Sequence, residues 1–202
     1  PKKTVTLSTP QIMLKSALFR NAFHFSGIII PATYLFAGRT FALATSLVLL
    51  FLSGIAELLR LKGFVKAAAV KAYLKPKESR KPSGSFFYLL AASVVVVLFN
   101  RDAAIASLLI LSIADPAASI VGRRFGRRRP AGKSLAGTLA FFCTALIILL
   151  FFPFSVPARI AGACVASLTE LLTPPIIDDN LSVPVVTALF LQATLFLGPA
   201  TF

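Results

Sequence analysis

The chain has seven carboxylates, and five of them, Glu57, Asp115, Glu170, Asp178 and Asp179, stand at the ends of apolar runs, where a charge is expensive. Carboxylates in such places normally face a bundle interior or a wet cavity, which makes each a candidate for chemistry. Asp115 opens the densest of these stretches, "ADPAASIVGRRFGRRRPAGKSLAGT" at 114–138, where five arginines, Lys133 and four glycines follow it. Carboxylates that merely faced guanidinium groups would neutralise them. They have another use if a divalent cation and a polyphosphate lie between the two sets, with carboxylates on the metal and bases on the phosphates. Arginine would grip phosphate oxygens with paired donors, and Lys133 would act as a compact point charge. The stretch is not a P-loop, because "GKSLAGT" at 132–138 lacks both the upstream glycine of GxxxxGK[ST] and a preceding strand.

Local rules sharpen the roles. Pro116 cannot donate to a continuing helix, so the spacing predicts a break, with Asp115 as N-cap and Pro116 as the first residue of a short new helix, "PAASIVG". A break inside a membrane leaves backbone groups that need a cavity, an ion or a ligand. Gly122 and Gly126 bracket "RRF" and permit close backbone approach. Arg123 and Arg124, next to the break, are the phosphate candidates, while Arg127, Arg128 and Arg129 hold the loop inside and against anionic lipid. Glu57 stands three residues before Arg60, so it serves either the site or a one-turn ion pair. His24, the single histidine, lies in "RNAFHFSG" at the start of the first apolar run, in the layer of the carboxylates; it is either an interfacial structural residue or a group that moves or positions a proton.

These residues must be carried by membrane helices. Of the 202 residues 57% are hydrophobic, and 21 Lys and Arg face seven acids for a net charge of +14. That balance excludes a soluble globule, and the apolar runs exclude a nucleic-acid-binding domain. Apolar segments at 18–37, 41–59, 84–100, 103–121, 135–153, 158–174 and 183–201 each approach the ~20 residues that cross a ~30 Å bilayer core. The expectation is an all-α polytopic membrane protein of about seven transmembrane helices, one domain over 1–202, with Pro31 kinking the first helix.

Charge orients the bundle. Four basic residues up to Arg20, eight in the loop 60–85 and six in 122–134 contrast with Arg39, Arg101 and Arg159 in the alternate connections. By the positive-inside rule the N-terminal segment 1–17 and both basic loops are cytoplasmic, and so is the layer of acids. The stretch "GFVKAAAVKAYLK" is either an interfacial helix or a solvated basic loop. Cys143 and Cys164 are expected as lipid-buried core thiols and not as a disulfide or metal site, and "PKKTVTLSTPQIMLK" does not read as a signal peptide.

"DPAASIVGRRFG" followed by "KSLAGTLAFF" resembles the signature of the CTP-dependent lipid-alcohol kinases, the family of yeast-type diacylglycerol kinase, phytol kinase and dolichol kinase. The resemblance continues through "RNAFHFSG", "AELLRLK", "RKPSGSFFY", "ASLTELL" and "DDNLSVP", in order over most of the chain. It implies transfer of the γ-phosphoryl group of CTP, with a divalent cation such as magnesium, to a lipid hydroxyl at the cytoplasmic face of a prokaryotic inner (plasma) membrane. Carried over by position, Asp115, Gly122, Arg123, Gly126, Lys133, Ser134 and Gly137 would form the nucleotide site, with Arg124, Glu57 and Arg60 beside it. Glu170, Asp179 and Asn180 would complete a metal and catalytic layer, with Asp115, Glu170 and Asp179 as metal ligands and a carboxylate or His24 as base. Ala136 is similar to the diacylglycerol and phytol kinases, whereas Asn21 departs from the basic residue common after the first arginine. Two other readings stay open. One is a CTP:phosphatidate cytidylyltransferase, whose terminal Asp-Arg element "DDNLSVP" does not match; the other is a small anion transporter, although no internal repeat is evident.

Overall fold

The computed structural model describes residues 24–64, 81–126, 133–174 and 176–196. Every element in them is a helix: α1 (Ile29–Ala37), α2 (Arg39–Leu61), α3 (Gly84–Leu98), α4 (Arg101–Phe125), α5 (Leu135–Leu149), α6 (Val156–Leu172) and α7 (Asp179–Phe196). One helix falls on each of the seven apolar segments. The N-terminal segment 1–17, most of the 60–85 loop with its proposed interfacial stretch, and Arg127–Arg129 lie outside the described residues.

Three helices, α2, α4 and α7, are long and apolar enough to cross a membrane. Helices α1, α3 and α5 are shorter than hydropathy foretells: α5 has 15 residues, roughly 22 Å at 1.5 Å per residue. Hydropathy counts "LFFP" into the fifth span, but Pro153 cannot continue a helix, and the chain turns after Leu149.

The centre is α4. Ala103, Ala104, Ala106, Leu108, Ile110 and Ala114 are wholly buried, and their small side chains let α5, α7 and α1 approach closely. Helix α2 lies at the edge, packed on α1 and α3, and turns Phe41, Val48, Phe51 and Leu52 outward, where a bilayer supplies the apolar solvent. Helix starts are capped by Asn100, Ser134 and Ser155, whose side chains accept from Ala103, Gly137 and Ala158 N–H. Arg39, Arg101 and Arg159 have a local purpose. Arg39 donates to the Val96 carbonyl at 2.9 Å and to that of Val97, Arg101 to Leu35 at 2.8 Å, and Arg159 to Phe152 at 3.1 Å. These carbonyls lie in or just past the last turns of α3, α1 and α5, where orphan acceptors and the negative end of the helix dipole favour a cation.

The expected break at Asp115 does not occur: α4 runs unbroken through Pro116, and Asp115 is an interior helical residue, not an N-cap. Interior proline forfeits one bond, to the carbonyl of Ser112, and costs ~3 kcal/mol. Burial of the helix up to and including Pro116 outweighs that local penalty. In α1 the local rule does hold. The helical residues from His24 onward are interrupted at Gly27–Ile28, one turn before Pro31.

Candidate active site

Asp115 projects from the middle of α4 and meets His24 from the turn before α1, with His24 Nε2 3.4 Å from Asp115 Oδ2. The two residues lie far apart in sequence and are both part-buried. The turn that carries His24 closes through Gly27 N–H on the His24 carbonyl at 3.1 Å, and the Tyr88 hydroxyl of α3 donates to the Gly27 carbonyl at 2.8 Å.

A second set forms around Lys133, immediately before α5. Its ammonium lies 2.9 Å from Glu170 Oε1 on α6 and 3.7 Å from Asp179 Oδ2 at the start of α7, and it donates to the backbone carbonyl of Glu170. Asp115 and Asp179 both act electrostatically on Glu170, which joins the two sets. Four elements and the Lys133 segment therefore bring His24, Asp115, Lys133, Glu170 and Asp179 to one end of the bundle. Asp178 does a different job. It caps α7, its carboxylate accepting the Asn180 N–H at 3.1 Å while its carbonyl takes those of Leu181 and Ser182. The buried Asn180 amide donates to Asp178 at 2.5 Å and reaches Asp179 at 3.4 Å, so it holds the Asp179 carboxylate in place.

Gly122, Gly126, Gly137 and Ser134 meet at the crossing of α4 and α5. A Cβ on Gly122 would lie 2.8 Å from Ser134 Oγ, and one on Gly137 would lie 3.0 Å from the Ala118 carbonyl. Ser134 Oγ accepts from Gly137 N–H at 3.1 Å as the α5 cap. This crossing sets where Lys133 leaves the bundle. At Gly126 an added Cβ would stand 2.3 Å from Ser134 Cβ and 2.5 Å from the Gly122 carbonyl, so backbone must move. Gly126→Ala is expected to destabilise the fold by about 1–3 kcal/mol, read as a lower melting temperature in detergent.

Other expected members lie elsewhere. Arg123 is exposed and donates to Ser119 Oγ at 2.7 Å, and exposed Arg124 lies 5.7 Å over the Phe125 ring. Glu57 and Arg60 serve the α2–α3 junction. They pair at 2.5 Å, Arg60 reaches the Lys81 carbonyl at 2.6 Å, and Glu57 accepts Ser83 N–H at 3.2 Å. The one-turn pair is thus the arrangement observed. The three-carboxylate metal site is not assembled either: among the described residues no group of three His, Cys, Asp or Glu is placed to hold a metal. Instead the Lys133 ammonium supplies the positive charge between Glu170 and Asp179. Tyr88 was legible only as part of "RKPSGSFFY", with no role attached to its hydroxyl.

No family model matches the chain, and no solved structure matches it. The chain is 33% identical over 147 residues, 59% of its own length and 46% of the relative's, to a protein of Eremothecium gossypii named CTP-dependent diacylglycerol kinase 1. It is 28% identical to a probable chloroplastic phytol kinase of Triticum aestivum, covering 90% of this chain and 68% of that one. An uncharacterized protein of Rickettsia prowazekii is 32% identical over 82% of this chain and 88% of its own. The chain spans about half the length of the fungal diacylglycerol kinases it matches. With relatives so named, and the signature elements in order along most of its length, the chain belongs to the lipid-alcohol kinase family that includes the proteins named CTP-dependent diacylglycerol kinase, phytol kinase and dolichol kinase.

Proposed function

We propose that the chain is a kinase that transfers the γ-phosphoryl group of CTP to the hydroxyl of a membrane lipid alcohol of the diacylglycerol, phytol or polyprenol type. The observation that carries this reading is the gathering of His24, Asp115, Lys133, Glu170 and Asp179 at one end of an apolar bundle. Phosphoryl transfer asks mainly for positioning and charge stabilisation, and such a site can receive a lipid from the bilayer and a nucleotide from water.

In this reading the lipid oxygen attacks the γ-phosphorus, the bond to the β–γ bridging oxygen breaks, and CDP leaves. Asp115, or His24 beside it, takes the hydroxyl proton. Lys133 exchanges its carboxylate partners for phosphate oxygens, and Arg123 and Arg124, exposed at the end of α4, approach the same phosphates. Asp115, Glu170 and Asp179 are not gathered into a ready three-ligand site, but each offers the hard oxygens that magnesium takes, and this ion commonly uses only one or two carboxylates, completing its shell with phosphates and water. Bound there with the nucleotide, it would neutralise charge on the phosphates.

The lysines and arginines of the loops around the site argue for its cytoplasmic face, in the inner (plasma) membrane of a prokaryote, with anionic lipid beneath Arg127–Arg129. Membranes containing the protein should move label from γ-³²P-CTP, and not from α-³²P-CTP, into a lipid alcohol, with CTP outperforming ATP. Label from the α-phosphate in the lipid would establish a cytidylyltransferase, and label from neither would sink the kinase reading.

A further inference from the structure

Two prolines and one hydroxyl are arranged around the His24–Asp115 pair in a way that the reaction chemistry does not require. Pro31 lies four residues after Gly27, and Pro116 four after Ser112. Each proline lacks the N–H that would bond the carbonyl one turn earlier, so the Gly27 carbonyl, which accepts the Ile30 N–H at 3.2 Å, keeps room for a second donor. Between these two sites stands Tyr88. Its hydroxyl donates to the Gly27 carbonyl at 2.8 Å and accepts from Ser112 Oγ at 3.2 Å. Gly27 has no side chain to keep the ring away: a Cβ there would lie 3.0 Å from two Tyr88 ring carbons. Tyr88 is nearly wholly buried and Ser112 completely so, which leaves little opportunity for water to replace the hydroxyl.

The reacting pair flanks this bridge. His24 is three residues before Gly27, in the same closed turn, and Asp115 is three residues after Ser112, on the same stretch of α4. We propose that the Tyr88 hydroxyl is the positioning group that fixes His24 against Asp115, by joining the Gly27 carbonyl, in the turn that carries His24, to Ser112 on α4. The inference rests on the reading of this cluster as a kinase site, but the placement of the imidazole can be observed without turnover. Tyr88 touches no reacting atom. It acts on the geometry of the proton-accepting pair, where a displacement of about 1 Å costs roughly a hundredfold in rate.

The test uses the fact that His24 is the sole histidine. Protein purified without a histidine tag and labelled with ¹³C,¹⁵N-histidine gives one imidazole spectrum. Tyr88→Phe keeps the ring and should shift and broaden that signal, with kcat about tenfold lower and KM for CTP within about twofold of wild type. In a His24→Ala background the same substitution should lower kcat no further. An unchanged imidazole signal, or an equal loss of kcat in both backgrounds, overturns the inference. Ser112→Ala, which removes the other hydroxyl, should move the signal in the same direction and serves if Tyr88→Phe does not fold. Should wild type prove inactive on lipid alcohols, the kinase reading falls alone, because the imidazole signal still decides the role of Tyr88.

Discussion

Asp115→Asn is expected to lower kcat for CTP-dependent lipid phosphorylation by about a thousandfold while leaving the protein folded. The substitution is isosteric and sits inside α4, so packing against the neighbouring helices is unchanged. What it removes is a negative charge that His24 approaches at 3.4 Å and that acts on Glu170. A carboxylate that helps to bind the cation and orient or accept the proton cannot be replaced by an amide, which neither binds a hard cation strongly nor accepts a proton at neutral pH. Stability should change little. The mutation relieves repulsion from Glu170 and Asp179 as it weakens the contact with His24, and these effects oppose each other. Turnover and thermal melting measured on the same preparation check both halves. Activity within tenfold of wild type would remove Asp115 from the site.

Lys133→Met should act on both function and stability. In the described structure its ammonium neutralises Glu170, whose side chain is only 11% exposed, and Asp179 across from it. Taking away one member of a part-buried ion cluster leaves the other charges stranded, and a loss of roughly 2–4 kcal/mol is expected at neutral pH, somewhat below the fully buried case because Lys133 itself is part-exposed. kcat/KM for CTP should fall by about a hundredfold or more as the phosphates lose their point charge. The double variant Lys133→Met, Glu170→Gln separates the two effects. It should recover much of the melting temperature, since the stranded carboxylate is now neutral, and recover none of the activity. Equal recovery of both would make Lys133 a purely structural cation.

Each of these outcomes depends on contacts that join distant parts of the chain, and the elements themselves were legible to very different degrees. Hydropathy located all seven helices because a run of Leu, Ile, Val and Phe near 20 residues long has few other fates in a membrane protein. It overestimated α5, where Pro153 ends the helix inside an apolar run. Local proline logic succeeded at α1 and failed at α4. The first site lies at the edge of a helix, beside the Gly27 carbonyl that takes both the Ile30 N–H and the Tyr88 hydroxyl, and the second lies inside the most deeply packed element. A one-turn spacing was enough to foresee the Glu57–Arg60 pair, but not that it would clamp the start of α3.

The candidate site divides along the same line. Residue type and charge singled out His24, Asp115, Lys133, Glu170 and Asp179, since a charge in an apolar helix needs a reason wherever the helix goes. Partnership was invisible, because His24 and Asp115, or Lys133 and Asp179, meet only after several helices have packed, and no periodicity encodes a contact of that range. Packing also reassigned neighbours that looked alike in the chain. Asp178 became a helix cap and Asp179 a partner of Lys133, although they are adjacent, because Asp178 lies just outside α7 and turns back on its first N–H groups whereas Asp179 is the first helical residue. Composition and periodicity thus suffice for helices, membrane and the inventory of charges, which are local properties. Which charges face one another, and which hydroxyl holds them there, follows from helix packing, where burial outweighs local propensity.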